Sequence, residues 1–255
     1  LGTPTFAAAD WRDPANYMGL FNADRSAFAW EWLRRSPAYR SAATSGLAPS
    51  SQFGLHRFED PSLAGGIARP IWHHDVDPSV LRARARAACD GNGFDVGSLG
   101  DWTSLHIGDD GEHWRIGPGF RAVRLDLVEG TLQDGPMRLD YLISGLTEAM
   151  PVVLTLRRFL ALASTRPWQA KLYPAERRAS RWITQLRVHD AVAAGASQRE
   201  IAAALFGDTI IGQRWRCEAP SHRLRIQRLV ATARLMIADG WRRLLVSPTS
   251  GKPRL

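Results

Sequence analysis

The 255-residue sequence predicts an α+β protein: a small N-terminal helical module, a small mostly antiparallel β-sheet and a helical C-terminal region. Three observations lead there. Long apolar patterns at helical spacing occur after about residue 146, short alternating runs broken by Gly, Pro and Asp fill the middle, and a capped amphipathic segment lies near the N-terminus. With 45% hydrophobic residues and ten tryptophans the chain can bury a substantial core, which excludes wholesale disorder. No run of about 18 uncharged apolar residues predicts a membrane span. The segment LGTPTFAAADWRDP lacks the basic-then-apolar order of a secretory signal, so a cytoplasmic protein is expected.

Asp24 is placed to cap a helix carrying Phe28, Trp32 and Leu33 on one side with arginines in its last turn, and Ser36-Pro37 stops it. Ser41 to Ser51, SAATSGLAPSS, is small and polar and reads as a linker, leaving residues 1–45 as the helical module. Residues 52–144 form the β-rich region. HWRI and FRAVRLDL alternate as strands do, Gly117-Pro118-Gly119 between them suits a hairpin turn, and MRLDYLIS supplies a third strand. One helix is expected here, from about Pro78 to Ala88. Residues 146–255 are helical: VVLTLRRFLALA, AERRASRWITQLRVHDAVAAG, ASQREIAAALFG and SHRLRIQRLVATARLMIADGWRRLL, with Gly195, Gly207 and Gly240 at turn or C-cap positions. Residues 52–255 are expected to form one structural domain. Cys89 and Cys217, the two cysteines, stand in no zinc-type spacing and are expected as buried thiols.

Charge is distributed unevenly. From Pro151 to Leu255 there are 19 Lys and Arg against 6 Asp and Glu, a balance of +13, whereas the first 150 residues carry 14 against 19, a balance of −5. The C-terminal part therefore attracts polyanions, and its basic residues are nearly all arginine, which suits phosphate forks and guanine edges.

Ser197 with Glu200 three residues on forms a capping box, Ile201, Leu205 and Phe206 form an apolar stripe, and Ala202 to Ala204 allow close helix contact. Such a helix suits the first helix of a DNA-binding helix-turn-helix and equally any three-helix core. In the helix from Ser221, Ile226, Leu229, Val230, Ala233, Met236 and Ile237 share one face at about 100° per residue. Ser221, Arg225, Arg228 and Thr232 cluster within about 60° on another face. Hydroxyls and arginines so arranged are what base and phosphate reading uses, with His222 and Arg223 in the first turn where a groove-entering helix meets the duplex. A solvated arginine face is the alternative. Gln198 and Arg199, together with Arg214 and Arg216 flanking Trp215, are candidates for holding phosphates. Trp30, Trp32 and Arg34 are candidates for a contact patch toward RNA polymerase or a regulatory partner, because aromatics and arginine favour interface centres. Packing of those tryptophans onto the sheet is the alternative. On the patch reading, removing the residues before Ser45 spares DNA binding and abolishes activation.

The segments REIAAALFG and WRCEAPSHRLRIQRLVATARLMIADGWRRLL resemble the C-terminal domain of the FseA-type transcriptional activators of excision and conjugative transfer of integrative and conjugative elements in proteobacteria. DWRDPANY and FAWEWLRRSPAYR are similar to the small module fused ahead of that domain, and WHHDVDP and GPGFRAVRLDLVEG extend the likeness. The resemblance implies a helix-turn-helix variant that binds double-stranded promoter DNA in a bacterial cytoplasm and activates excision and transfer genes. It also implies an antiactivator protein as a partner, and, since related single-domain proteins are themselves antiactivators, the alternative of a protein-binding regulator without significant DNA binding. The extended connection from Asp208 to Pro220 departs from the tight turn of ordinary helix-turn-helix domains.

Enzyme chemistry finds little support. His73, His74, Asp75 and Asp77 in WHHDVDP are ligand-type residues, but adjacent histidines on an extended segment point to opposite faces. GDDGEHWR lacks the spacing of a calcium loop and reads as a turn before a strand. No Gly-rich phosphate loop, H-x-x-x-H or G-x-S-x-G occurs. A non-enzymatic protein with no cofactor and no metal is the expectation.

Overall fold

The computed structural model describes residues 10–89, 93–146, 149–165, 169–207 and 220–246. The fold is α+β, and the chain divides into two compact units, Leu1–Ala23 with Ala175–Trp241 and Asp24–Pro174 with Arg242–Leu255. The boundaries expected near residues 45, 52 and 146 fall inside the second unit, and the N-terminal module is shared between the two.

In the sheet-containing unit, Asp24 caps α1 (Arg25–Leu33) by accepting from the Ala27 N–H at 2.9 Å. Ser36 then precedes α2 (Pro37–Ser45), whose first residue is Pro37, the helical position where a missing N–H costs nothing. The small residues from Ser41 are therefore not a linker. Ala42 is buried, the run continues α2 to Ser45, and Gly46 in the left-handed region ends it.

The sheet has five strands, β1 (Leu81–Ala87), β2 (Thr103–Gly108), β3 (Gly111–Ile116), β4 (Val123–Glu129) and β5 (Met137–Leu142), in the order β2-β3-β4-β1-β5. Three neighbouring pairs are antiparallel and β1–β4 is parallel, so the sheet is mixed. The helix expected from Pro78 to Ala88 is β1 instead. LRARARA alternates with period two, turning Leu81, Ala83 and Ala85 inward and Arg82, Arg84 and Arg86 outward, and the strand is hydrogen-bonded on both sides. Residues 109–110 close the β2–β3 hairpin, as the acidic stretch there suggested. Cys89 is exposed rather than buried, and Cys217 lies outside the described residues.

Both faces of the central strand β4 are covered. Val123, Leu125 and Leu127 join Leu81, Ala83, Trp114 and Ile116 in an apolar core closed by Phe159 and Leu162 of α3 (Ala149–Thr165). Arg124 and Asp126 are buried on the opposite face. There Arg124 pairs with Asp77 at 3.3 Å and donates to the Ser26 hydroxyl, while Asp126 engages His113 of β3. Burial of these charges is tolerated because each has an opposite or hydrogen-bonding partner.

The other unit is helical: α4 (Ala179–Ala193), α5 (Gln198–Phe206) and α6 (Pro220–Leu235), the last passing into a π-helical turn, Met236–Gly240. Val188 and Ala191 of α4, Ile201 and Ala202 of α5 and Ile226 of α6 meet in one core, and Trp11 fills it from the N-terminal segment. The 3₁₀ turns Pro14–Asn22 lie along α4, where the Tyr17 hydroxyl donates to buried Asp190 at 2.6 Å. No described helix is long and apolar enough to cross a membrane.

Candidate DNA-binding surface

The capping box read from Ser197 and Glu200 is formed. The Ser197 hydroxyl accepts from the Glu200 N–H at 3.3 Å and the Glu200 carboxylate accepts from the Ser197 N–H at 2.8 Å. The hydrogen bonds from Ser197 hold the Glu200 carboxyl below its ordinary value, and Arg12 lies 3.6 Å from it. Ile201 and Ala202 turn into the core, which leaves Gln198 and Arg199 exposed on the first turn of α5. Arg214 and Arg216 lie outside the described residues.

On α6, Ile226 and Ala233 are buried and Leu229 and Val230 half-buried, as are Met236 and Ile237 of the π-helical turn that follows, the face expected to point inward. Ser221, Arg225 and Arg228 are exposed and Thr232 half-exposed, with the Thr232 hydroxyl donating to the Arg228 carbonyl at 2.9 Å. Arg225 lies over the Phe206 ring, its guanidinium carbon 4.7 Å from the centroid, so the end of α5 provides an aromatic rest for this side chain. Among the described residues no carboxylate engages Arg223, Arg225, Arg228 or Arg234.

Of the two first-turn residues expected to meet the duplex, His222 is placed differently. His222 is half-buried, its ring 5.1 Å from that of Phe206, and its Nδ1 is buried with no hydrogen-bond partner among the described residues. It is a packing residue of the α5–α6 corner rather than an outward one. Arg223 is exposed, but two residues of helix set it about 160° around the axis from Arg225. The middle of the outward side carries Leu224 and Leu235, 46% and 70% exposed, so arginines flank an apolar line that the sequence reading left unassigned. Its signal was available in the helical spacing, since Leu224, Ala231 and Leu235 fall opposite Ile226 and Ala233.

The partner patch at Trp30, Trp32 and Arg34 does not exist as a surface. Both tryptophans are fully buried, with the Trp30 Nε1–H donating to the Leu63 carbonyl at 2.9 Å. Arg34 is 7% exposed and donates to Glu31 at 2.8 Å. Helix α1 is buried all round from Ser26 to Leu33, so its aromatic residues face the interior whichever way they point.

Residues 142–246 match a family model described as "T6SS, Transcription factor, DNA binding domain". The chain carries a DNA-binding transcriptional regulator domain. Residues 10–64 match a second model, "Proteobacterial transcriptional regulator-like domain". No match to the chain was found among curated proteins. The first matched span contains α4, α5 and α6 whole, and a DNA-binding domain makes DNA a partner of the chain.

Proposed function

We propose that the chain is a sequence-specific transcriptional activator that binds promoter DNA through α6 and controls the excision and transfer genes of an integrative and conjugative element. The observation that carries the reading is the exposed pair Arg225 and Arg228, engaged by no carboxylate among the described residues and one helical turn apart on a helix buried along its opposite side. Ser221 and Thr232 extend that line, and Gln198 and Arg199 lie at a helix N-terminus, where backbone N–H groups favour phosphate. Arg214 and Arg216 belong to the same proposal as phosphate contacts. Activation implies contact with RNA polymerase, and the resemblance to FseA-type activators implies an antiactivator that restrains the protein.

Footprinting on the element's own excision-gene promoter tests this directly. Arg225→Ala and Arg228→Ala are each expected to cost about 1–3 kcal/mol in operator affinity, the worth of a specific base contact. Wild-type affinity should fall linearly in log–log terms with salt as phosphates are neutralised. Unchanged operator affinity in both folded variants removes α6 from the proposal.

The exposed line of Leu224 and Leu235 favours a second reading, a protein-binding regulator without significant DNA affinity. Retention of promoter DNA separates the two, since a protein-binding module shows no specific retention at any salt concentration.

A further inference from the structure

Five of the seven histidines gather on the polar face of the sheet, brought there by separate segments of the chain. The His56 ring stacks between His73 and His113, with centroids 3.6 Å and 3.4 Å away, and His106 on β2 is 6.0 Å from His113. His74 Nδ1 lies 3.9 Å from Asp126 Oδ2. His113 is held at both nitrogens: Nδ1 is 3.0 Å from Asp126 Oδ1 and Nε2 is 2.9 Å from Asp110 Oδ1. Beside this pair the buried Nε2 of His56 has no hydrogen-bond partner among the described residues. One donor atom from each of His56, Asp110 and His113 lies within 4.8 Å of the other two.

We propose that His56, Asp110 and His113 bind a divalent first-row transition ion, with Zn²⁺ as its representative. Bonds of about 2.0–2.2 Å in a tetrahedral site hold donor atoms roughly 3.4 Å apart, so donors already within 4.8 Å of one another need only small side-chain shifts to close on an ion. Two imidazoles and a carboxylate suit Zn²⁺, Ni²⁺ or Co²⁺ and not the all-oxygen preference of Ca²⁺ or Mg²⁺. Asp126 supplies what a ligating imidazole usually has, a carboxylate on its other ring nitrogen that fixes tautomer and orientation. Asp126 and Asp110 both lie against the His113 ring, and two carboxylates so placed favour a cation beside it. The His56 and His113 rings stack with their planes 22° apart, so binding one ion requires the rings to splay from this arrangement. Asp110, 63% exposed at the hairpin tip, follows without disturbing packing. The ion would tie the segment around His56 to the β2–β3 hairpin.

The test uses the full chain, stripped with a chelator and titrated with Zn²⁺ against a chromophoric competitor, with Co²⁺ as a visible-absorption reporter. One equivalent is expected to bind and to raise the Tm at saturating Zn²⁺. Asp110→Asn and His56→Gln should each weaken binding more than tenfold and abolish the Co²⁺ band, and Asp126→Asn should weaken it roughly 10–100-fold. Because Asp110 is exposed, Asp110→Asn decides the matter even if His56→Gln fails to fold. Absence of binding at micromolar Zn²⁺, or one equivalent bound with undiminished affinity by Asp110→Asn, overturns the proposal.

Discussion

Glu31 is a carboxylate in the interior of the sheet-containing unit, and its neighbours decide its charge. Burial alone would raise its pKa. The guanidinium groups of Arg35 and Arg34 and the Gly65 N–H, which donates to it at 2.7 Å, outweigh burial and hold it below its ordinary value of 4.5. The folded pKa thus lies below the unfolded one. The stabilisation is complete above about pH 4.5 and is lost as pH falls through the folded value. Glu31→Gln leaves two arginines buried without their counter-charge and should cost about 3–5 kcal/mol at neutral pH. Urea unfolding across pH 3–7 checks both statements: the variant should be weaker at pH 7 and should show a shallower loss of stability below about pH 4.5 than wild type. The same chemistry recurs at Glu112, which accepts from the Trp114 indole at 2.8 Å, the Leu132 N–H at 3.1 Å, Gln133 Nε2 at 2.7 Å and the Thr131 hydroxyl. Burial would raise this carboxyl too, and the four donors keep it below its ordinary value. One side chain of β3 thereby fixes the loop that leaves β4.

At the scale of elements, periodicity was readable wherever one face meets water and deceptive where both faces are covered. The strands at HWRI and FRAVRLDL and the helices α4, α5 and α6 announce themselves by alternation or by helical spacing, and Ser197 with Glu200 marks a helix start without ambiguity. LRARARA misled because alanine and arginine favour helix, while pairing with β4 and β5 overrides that local preference. Trp30 and Trp32 misled for a related reason, since a helix buried all round shows no polar side from which to infer the inward one. The histidine cluster was only partly legible: His73–His74 and Asp110–His113 are local, but what joins them to His56 and His106 are contacts between distant segments. The β2–β3 hairpin beside that cluster offers a test of backbone geometry. Gly111 has φ +128°, and a Cβ there would lie 1.9 Å from the Leu127 carbonyl oxygen across the ladder. Gly111→Ala should therefore cost about 3 kcal/mol or more. Gly135, with φ +101° and open space around it, supplies the comparison: Gly135→Ala should cost about 1 kcal/mol, the backbone term alone. Equal losses for the two variants in denaturant unfolding would contradict the close approach at Gly111.

Across the whole molecule, sequence order and spatial order disagree, and the disagreement changes what the N-terminal segment is for. Read along the chain, the first 45 residues form a module ahead of a DNA-binding region, separable from it. In space, Trp11 is 3% exposed among Val188, Ala191, Ile201, Ala202 and Ile226, the residues that join α4, α5 and α6. Arg187 of α4 donates from Nε to the Trp11 carbonyl and from a terminal nitrogen to the Arg12 carbonyl, both at 3.0 Å, so the segment is fastened by backbone as well as by its ring. Tyr17 adds a hydrogen bond to Asp190, whose carboxylate is buried and needs a donor. Truncation before Ser45 should consequently abolish promoter binding by unfolding the helical unit, instead of sparing it. Trp11→Ala isolates the cause, because truncating a buried tryptophan costs about 3–5 kcal/mol, a large share of a domain's stability. Thermal unfolding followed by circular dichroism should show the helical signal melting earlier, and promoter affinity should fall in step with the folded fraction and recover on cooling. Trp11→Phe, which keeps most of the ring volume, should restore much of both. A Trp11→Ala protein with wild-type stability would mean that the three helices hold together without this segment, and the separable reading would return.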